Sequence, residues 1–260
     1  MVSFTTIPQE MPQLSGKSIP VQERLIVALD METVDQAKKL VTTLGDTVRF
    51  YKIGLSLIFD NGYWQLFDWL ISQGKQAFAD LKVYDIPETV EASVRKLVGR
   101  GASFATVHAH ENMIRAAVKG RAEHTELKIL AVTVLTSLDS DDLREMGFPQ
   151  FDVKLLVLDR AKRMLKAGCD GVISSGLEVA GLRHEYGDNF LIVVPGIRPV
   201  DNVRENRDDQ KRIVDVETAF TNGADYVVVG RPIREAADPQ AAAVDFQARI
   251  AKIFGESIQA

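Results

Sequence analysis

The sequence predicts an α/β protein, a (β/α)8 or TIM barrel. Three observations carry that prediction. Short β-branched runs alternate with amphipathic stretches from residue 25 onward, the signature of βα units on a parallel sheet. Eight such runs fit into about 230 residues, a count and length at which a parallel sheet closes on itself. The turn after the first run reads Leu29-Asp30-Met31-Glu32, with no glycine where a doubly wound sheet would more often carry a Gly-rich loop.

Residues 1–20 hold three prolines among Thr, Ser, Gln and Gly with no clear period. They read as a loose N-terminal arm, and residues 21–260 as a single barrel domain. The first strand is Leu25–Leu29, followed by an amphipathic helix over Val34–Leu44. Arg49–Ile53 with Tyr63–Ser72, Gln76–Asp80 with Val90–Arg100, and Phe104–His108 with Asn112–Ala122 form the next three units. The fifth strand, Lys128–Val134, leads to a short helix over Asp139–Met146 and a longer one over Lys154–Ala167. Gly171–Ser174 pairs with Glu178–Tyr186, Phe190–Val194 runs into a long polar loop over Asp201–Lys211, and Tyr226–Val229 is the eighth strand. Gln240–Phe254 closes the ring. Gly74, Gly101 and Gly168 stop helices where a left-handed residue fits.

Bulk composition narrows the function. With 46% hydrophobic and 26% charged residues the chain is ordinary globular protein. A net charge of −5 argues against a general nucleic-acid surface, though an anionic small ligand can still find a locally positive pocket. No run reaches the ~18 apolar residues of a membrane span, and no basic-then-apolar leader is visible at the N-terminus. Cys169 is the single cysteine, so no intrachain disulfide forms and a structural zinc site is not expected; it reads as a small buried residue. A cytoplasmic protein without metal is the expectation.

In a barrel of this class chemistry gathers at the C-terminal ends of the strands. Residues 80–89 read Asp-Leu-Lys-Val-Tyr-Asp-Ile-Pro-Glu-Thr directly after an apolar run. Asp80 and Lys82 are two apart and face the same way on a strand, and Pro87 helps to fix the bend at Asp85. With Lys52 on the neighbouring strand, Asp80, Lys82 and Asp85 would make a four-member network in which every ion has an opposite neighbour, keeping Lys82 charged and aimed. A structural ion-pair cluster is the plainer alternative, with Lys52 as a solvated strand end and Asp30 as a helix N-cap. Arg198 after the seventh strand and Gly230-Arg231 after the eighth suit a phosphate, because a guanidinium makes two parallel hydrogen bonds. Gln210 lies in the 201–211 loop, which has the length and composition of a lid; a solvated charge run over Arg204–Arg212 and a tight turn at Gly230-Arg231-Pro232 are the alternatives. Thr136-Ser137 offers hydroxyls to a polar ligand edge, or caps the next helix. His108 and His110 have no obvious third ligand and read as rim histidines held by a structural hydrogen bond rather than a metal site.

Together these blocks resemble the orotidine 5′-monophosphate decarboxylase family in its bacterial branch, over nearly the whole chain from about residue 22. The motif Asp-x-Lys-x-x-Asp-Ile-Pro-x-Thr stands as Asp80, Lys82, Asp85, Ile86, Pro87 and Thr89. Asp30 ends Leu-Ile-Val-Ala-Leu-Asp and Lys52 sits in Tyr-Lys-Ile-Gly. Val132–Ser137, Pro195–Pro199, Asp209–Arg212 and Val227–Ile233 follow in order. Glu88 and Asp215-Val216 depart from the family pattern, which more often carries Asn and Thr-Pro there. The resemblance implies that Lys82 protonates C6 of the pyrimidine as carbon dioxide departs, with Asp80 near the substrate carboxylate. It implies that Asp30 and Lys52 bind the ribose, Thr136 and Ser137 the pyrimidine edge, and Arg198, Gln210, Gly230 and Arg231 the phosphate. It further implies a homodimer in which Asp85, Ile86 and Thr89 reach the neighbouring subunit's site, and no metal, flavin or thiamine. Two alternatives stay open: a magnesium-dependent sugar-phosphate decarboxylase of the same superfamily, which lacks the Ile-Pro-x-Thr continuation, and a non-catalytic nucleotide-binding barrel.

Overall fold

Strands covered on both faces read as near-continuous apolar runs, and the eight runs here do so apart from a few polar residues. The structure, a computed structural model, describes residues 14–148, 152–198 and 212–255. Strands β1 (Leu25–Ala28), β2 (Phe50–Gly54), β3 (Gln76–Val83), β4 (Phe104–His108), β5 (Lys128–Val132), β6 (Gly171–Ile173), β7 (Leu191–Val194) and β8 (Tyr226–Val229) close in that order into a parallel barrel. The first and last strands pair through Leu25–Val227 and Val27–Val229. Helices α1 (Val34–Leu44), α2 (Leu55–Ile58), α3 (Tyr63–Ser72), α4 (Pro87–Val98), α5 (Glu111–Arg121), α6 (Ser140–Glu145), α7 (Val153–Lys166), α8 (Val179–Tyr186), α9 (Val216–Thr221), α10 (Arg231–Arg234) and α11 (Pro239–Phe254) follow the strands.

Period two along each strand sorts the side chains into two cores. The outward set packs under the helices. The inward set is small: Ile26, Ala28, Phe50, Phe78, Phe104, Leu130, Val193, Tyr226 and Val228. Its aromatic rings meet edge to face, Phe50 on Phe104 at 4.9 Å and Phe104 on Tyr226 at 5.1 Å, the arrangement their quadrupoles favour. One step further along the same inward rows come Asp30, Lys52, Asp80 and Thr106. The fold therefore builds an aromatic floor and sets ionic groups directly above it.

Several expectations need correction. Strand β3 runs on to Val83 instead of ending at Asp80, because it carries an irregularity: Ala79 pairs with Ala105 while Val83 pairs with Val107. Three residues of β3 thus face one of β4, a bulge. Helix α4 begins at Pro87 rather than Val90, since proline suits a first helical position. Strand β5 stops at Val132 rather than Val134. The cap of α1 is Thr33, whose side chain accepts the Gln36 N–H, so Asp30 is not that cap. Asp139 closes a capping box on α6, which removes that role from Thr136 and Ser137. The described part of the arm, residues 14–20, is not loose. Ile19 packs beneath the inner core, and Ser15 and Lys17 reach the fully buried Asp225, which also takes Arg183 Nη2 at 2.6 Å and the Ile192 N–H at 2.7 Å. A buried carboxylate demands such partners, and here they seal the N-terminal end of the barrel.

Candidate active site

A cavity of about 370 Å³ opens at the C-terminal ends of the strands. One side of it is a chain of alternating charge. Asp30 Oδ1 lies 2.9 Å from Lys52 Nζ, which lies 3.2 Å from Asp80 Oδ2, which in turn lies 2.8 Å from Lys82 Nζ. Lys52 and Asp80 are buried, with 8% and 6% exposure, so the solvated reading of Lys52 does not hold. Gly54 makes room for the first pair: a Cβ there would stand 3.1 Å from both Asp30 Oδ1 and Lys52 Nζ.

The electrostatics follow from burial set against neighbouring charge. Burial opposes ionisation of Asp80, but Lys52, Lys82 and hydrogen bonds from Lys82 and Thr106 outweigh it and bring the pKa down to about 2. Burial likewise opposes the Lys52 ammonium, and Asp80 and Asp30 outweigh it, raising its pKa. Both groups are ionic across the physiological range. His108 moves the other way: burial, then Lys82 and Arg160, hold it below its ordinary value, so its ring is neutral at pH 7. It meets Tyr84 edge-on at 5.4 Å and, among the described residues, its side chain makes no hydrogen bond, contrary to expectation. No group of three metal-ligating side chains gathers among the described residues.

The bulge in β3 aims Lys82. Its φ is +47°, a left-handed conformation that costs a non-glycine residue about 1–3 kcal/mol. Its N–H is accepted by the Thr106 hydroxyl at 2.9 Å, and the same hydroxyl donates to Asp80 Oδ1 at 2.9 Å. Thr106 is fully buried. The sequence reading passed over it because a lone threonine in an apolar strand carries no signal until its neighbour is known to be bulged.

The other side of the cavity is built from later loops. Thr136 and Ser137 line it, as do Arg198, Gly230 and Arg231. Arg234, which the sequence reading also missed, lines it beside Arg231 and donates to the Asp30 backbone carbonyl. Gln210 lies outside the described residues. On either side of residues 199–211, Ile197 bridges Val214. Arg212, at its end, is buried rather than solvated. It pairs with Glu178 at 2.8 Å and donates to the carbonyls of Val134 and Leu135 just before Thr136.

Asp85, Ile86 and Thr89 are not brought to this cavity. All three are exposed, Asp85 and Ile86 on the turn into α4 and Thr89 in its first turn, and among the described residues the Asp85 carboxylate accepts only the Ile86 N–H, at 2.7 Å. Within one chain the fourth member of the charge network is Asp30, not Asp85. Leu55 and Phe59, after β2, and Tyr84 and Ile86, after the adjacent β3, expose large apolar surface, Phe59 to 90%.

Residues 23–246 match the family model described as orotidine 5′-phosphate decarboxylase / HUMPS family. A protein of Methylococcus capsulatus named orotidine 5′-phosphate decarboxylase is 55% identical over 241 residues, covering 93% of this chain and 97% of that one. One of Xanthomonas oryzae pv. oryzae with the same name is 47% identical over 239 residues, 92% of this chain and 96% of that one. The crystal structure of orotidine 5′-phosphate decarboxylase from Lactobacillus acidophilus superposes with a TM-score of 0.75 at 38% identity, covering 89% of this chain and 99% of that one.

Proposed function

We infer the activity from one premise: this chain belongs to the orotidine 5′-phosphate decarboxylase / HUMPS family. Its reaction is the decarboxylation of orotidine 5′-monophosphate to UMP, the last step of pyrimidine nucleotide synthesis. The bond from C6 to the carboxylate breaks, carbon dioxide leaves, and the electron pair stays on C6. Lys82 gives that carbon a proton and regains one from solvent. The observation that carries this assignment is the pairing of Lys82 Nζ with buried Asp80 on the cavity wall. A cation fixed before reaction stabilises developing negative charge without reorganising at the moment of reaction. No cofactor is then required to absorb the charge.

The remaining roles are those that the family resemblance implies. Asp80 faces the substrate carboxylate and helps to hold Lys82. Asp30 and Lys52 bind the ribose hydroxyls, and Thr136 and Ser137 the pyrimidine edge. Arg198, Gln210, Gly230 and Arg231 hold the phosphate, a remote grip whose binding energy is used at the reacting carbon. Asp85, Ile86 and Thr89 serve the site of a second subunit in a homodimer. Their exposure, together with the apolar Leu55, Phe59 and Tyr84 beside them, supports a surface that a second copy covers. A cytoplasmic location fits a chain whose one cysteine, Cys169, is buried with its thiol pushed up to about 12, inert as a redox group.

Replacing Lys82 by alanine tests the assignment. Loss of the orotate absorbance should stop while the circular dichroism spectrum is unchanged. Substantial remaining turnover would remove Lys82 as the proton donor. Turnover of the native protein should be unaffected by EDTA; a metal requirement would instead favour a sugar-phosphate decarboxylase.

A further inference from the structure

We propose that Thr106 is a positioning residue for decarboxylation, its hydroxyl locking the Lys82 backbone and the Asp80 carboxylate into the pose that aims the Lys82 ammonium. The inference rests on the reading that Lys82 delivers the proton. It concerns a residue that touches neither the cavity nor the reacting carbon.

The polarity of the contact leaves no ambiguity. A hydroxyl has one proton to give and lone pairs to receive. An ionised carboxylate only accepts and an amide N–H only donates. Thr106 therefore donates to Asp80 Oδ1 and accepts from the Lys82 N–H, each at 2.9 Å. It is wholly buried, so no water competes for either contact. One atom on a regular strand ties together both ends of the three-residue bulge opposite.

Two consequences follow. A bulge takes its extra residues out of the ladder, and an orphaned buried N–H is costly; Thr106 supplies the acceptor that Lys82 would otherwise lack. That contact sustains the left-handed backbone of Lys82, at φ +47°. If the bulge relaxed into a regular ladder, Lys82 would lose this backbone conformation and, with it, the aim it gives the ammonium. Meanwhile, occupying Oδ1 turns Oδ2 toward both ammoniums, Lys52 at 3.2 Å and Lys82 at 2.8 Å. The charged and titratable groups around Asp80 are Lys52 on β2 with Asp30 beyond it, Lys82 on β3, His108 on β4 and Tyr63 on α3. Among the described residues, Thr106 is the one uncharged hydrogen-bonding neighbour of Asp80, so its loss changes orientation without changing the count of charges.

Thr106→Ser and Thr106→Ala differ by a single oxygen and make the test. The serine variant should keep kcat within about threefold of the native protein. The alanine variant should lose about 10- to 100-fold in kcat, the range set by an unmade hydrogen bond to a charged group. Its KM should change little, because the phosphate grip is untouched. Thr106→Val, which keeps the shape and removes the hydroxyl, should behave like alanine; should it fail to fold, the Ser/Ala pair still decides. Equal kcat in the serine and alanine variants, or a loss confined to thermal stability, overturns the proposal. Lys82→Ala assayed alongside separates the two layers. Turnover retained there defeats the proton-donor reading, whereas Lys82→Ala inactive with Ser and Ala alike defeats only the role of Thr106.

Discussion

Replacing Asp80 by asparagine removes the one anion that two ammoniums share. Both touch Oδ2, so Lys52 Nζ and Lys82 Nζ stand no more than about 6 Å apart. At an effective dielectric of ~20, each attraction at contact distance is ~5 kcal/mol, and the repulsion left behind is ~3 kcal/mol. Desolvation offsets most of the gross attraction, and taking one partner from a buried pair costs about 3–5 kcal/mol net. Proton linkage gives an independent figure. With the carboxyl brought from 3.8 to about 2, the folded state gains about 2.5 kcal/mol at neutral pH. A lowered carboxylate pKa contributes fully above the unfolded value, and the contribution is lost as pH falls from about 4 through about 2. Urea unfolding should therefore show Asp80→Asn less stable by about 2.5–5 kcal/mol at pH 7, with the gap narrowing at pH 3. Turnover should fall with it, since Lys82 loses its guide. A difference below about 1 kcal/mol at pH 7, or one equally large at pH 3, would refute the reasoning.

Three other outcomes are expected. Arg231→Ala should raise KM at least tenfold, read from initial rates of orotate loss; an unchanged KM puts the phosphate elsewhere. Inactive Asp85→Asn and Lys82→Ala proteins, mixed and re-equilibrated, should regain activity through hybrid dimers in which one composite site holds both native side chains. No recovery with hybrids shown to form would mean that each site comes from one chain. Asp225→Asn, at the sealed end of the barrel, should lower stability by about 3–5 kcal/mol while leaving kcat at 25 °C unchanged; a loss of kcat would show that the two ends are coupled.

Much of the fold was legible because strands buried on both faces announce themselves as short apolar runs, and glycines or proline mark where helices end and begin. The ionic side of the site was legible for the same reason: Asp30, Lys52, Asp80 and Lys82 are charges placed where an apolar row should continue. What escaped notice needed cross-strand knowledge. The bulge after Ala79 leaves no trace in the composition of β3, and Thr106 matters only because that bulge faces it. For Arg212 a solvated run stood open as an alternative because its partners, Glu178 and the carbonyls of Val134 and Leu135, are remote in sequence. The arm misled in a similar way. Its polar composition reads as loose, yet residues 15 and 17 are the partners a buried Asp225 requires.

The central claim is that the Lys82 ammonium, held by Asp80 and the bulge, is aimed at the carbon that loses carbon dioxide. A crystal structure of the protein with UMP bound tests it most directly. Lys82 Nζ should lie about 3–3.5 Å from C6, the spacing of reacting atoms poised for transfer, with Asp80 still in contact. An ammonium turned away from the ring, or a nucleotide seated with C6 far from Lys82, would contradict it.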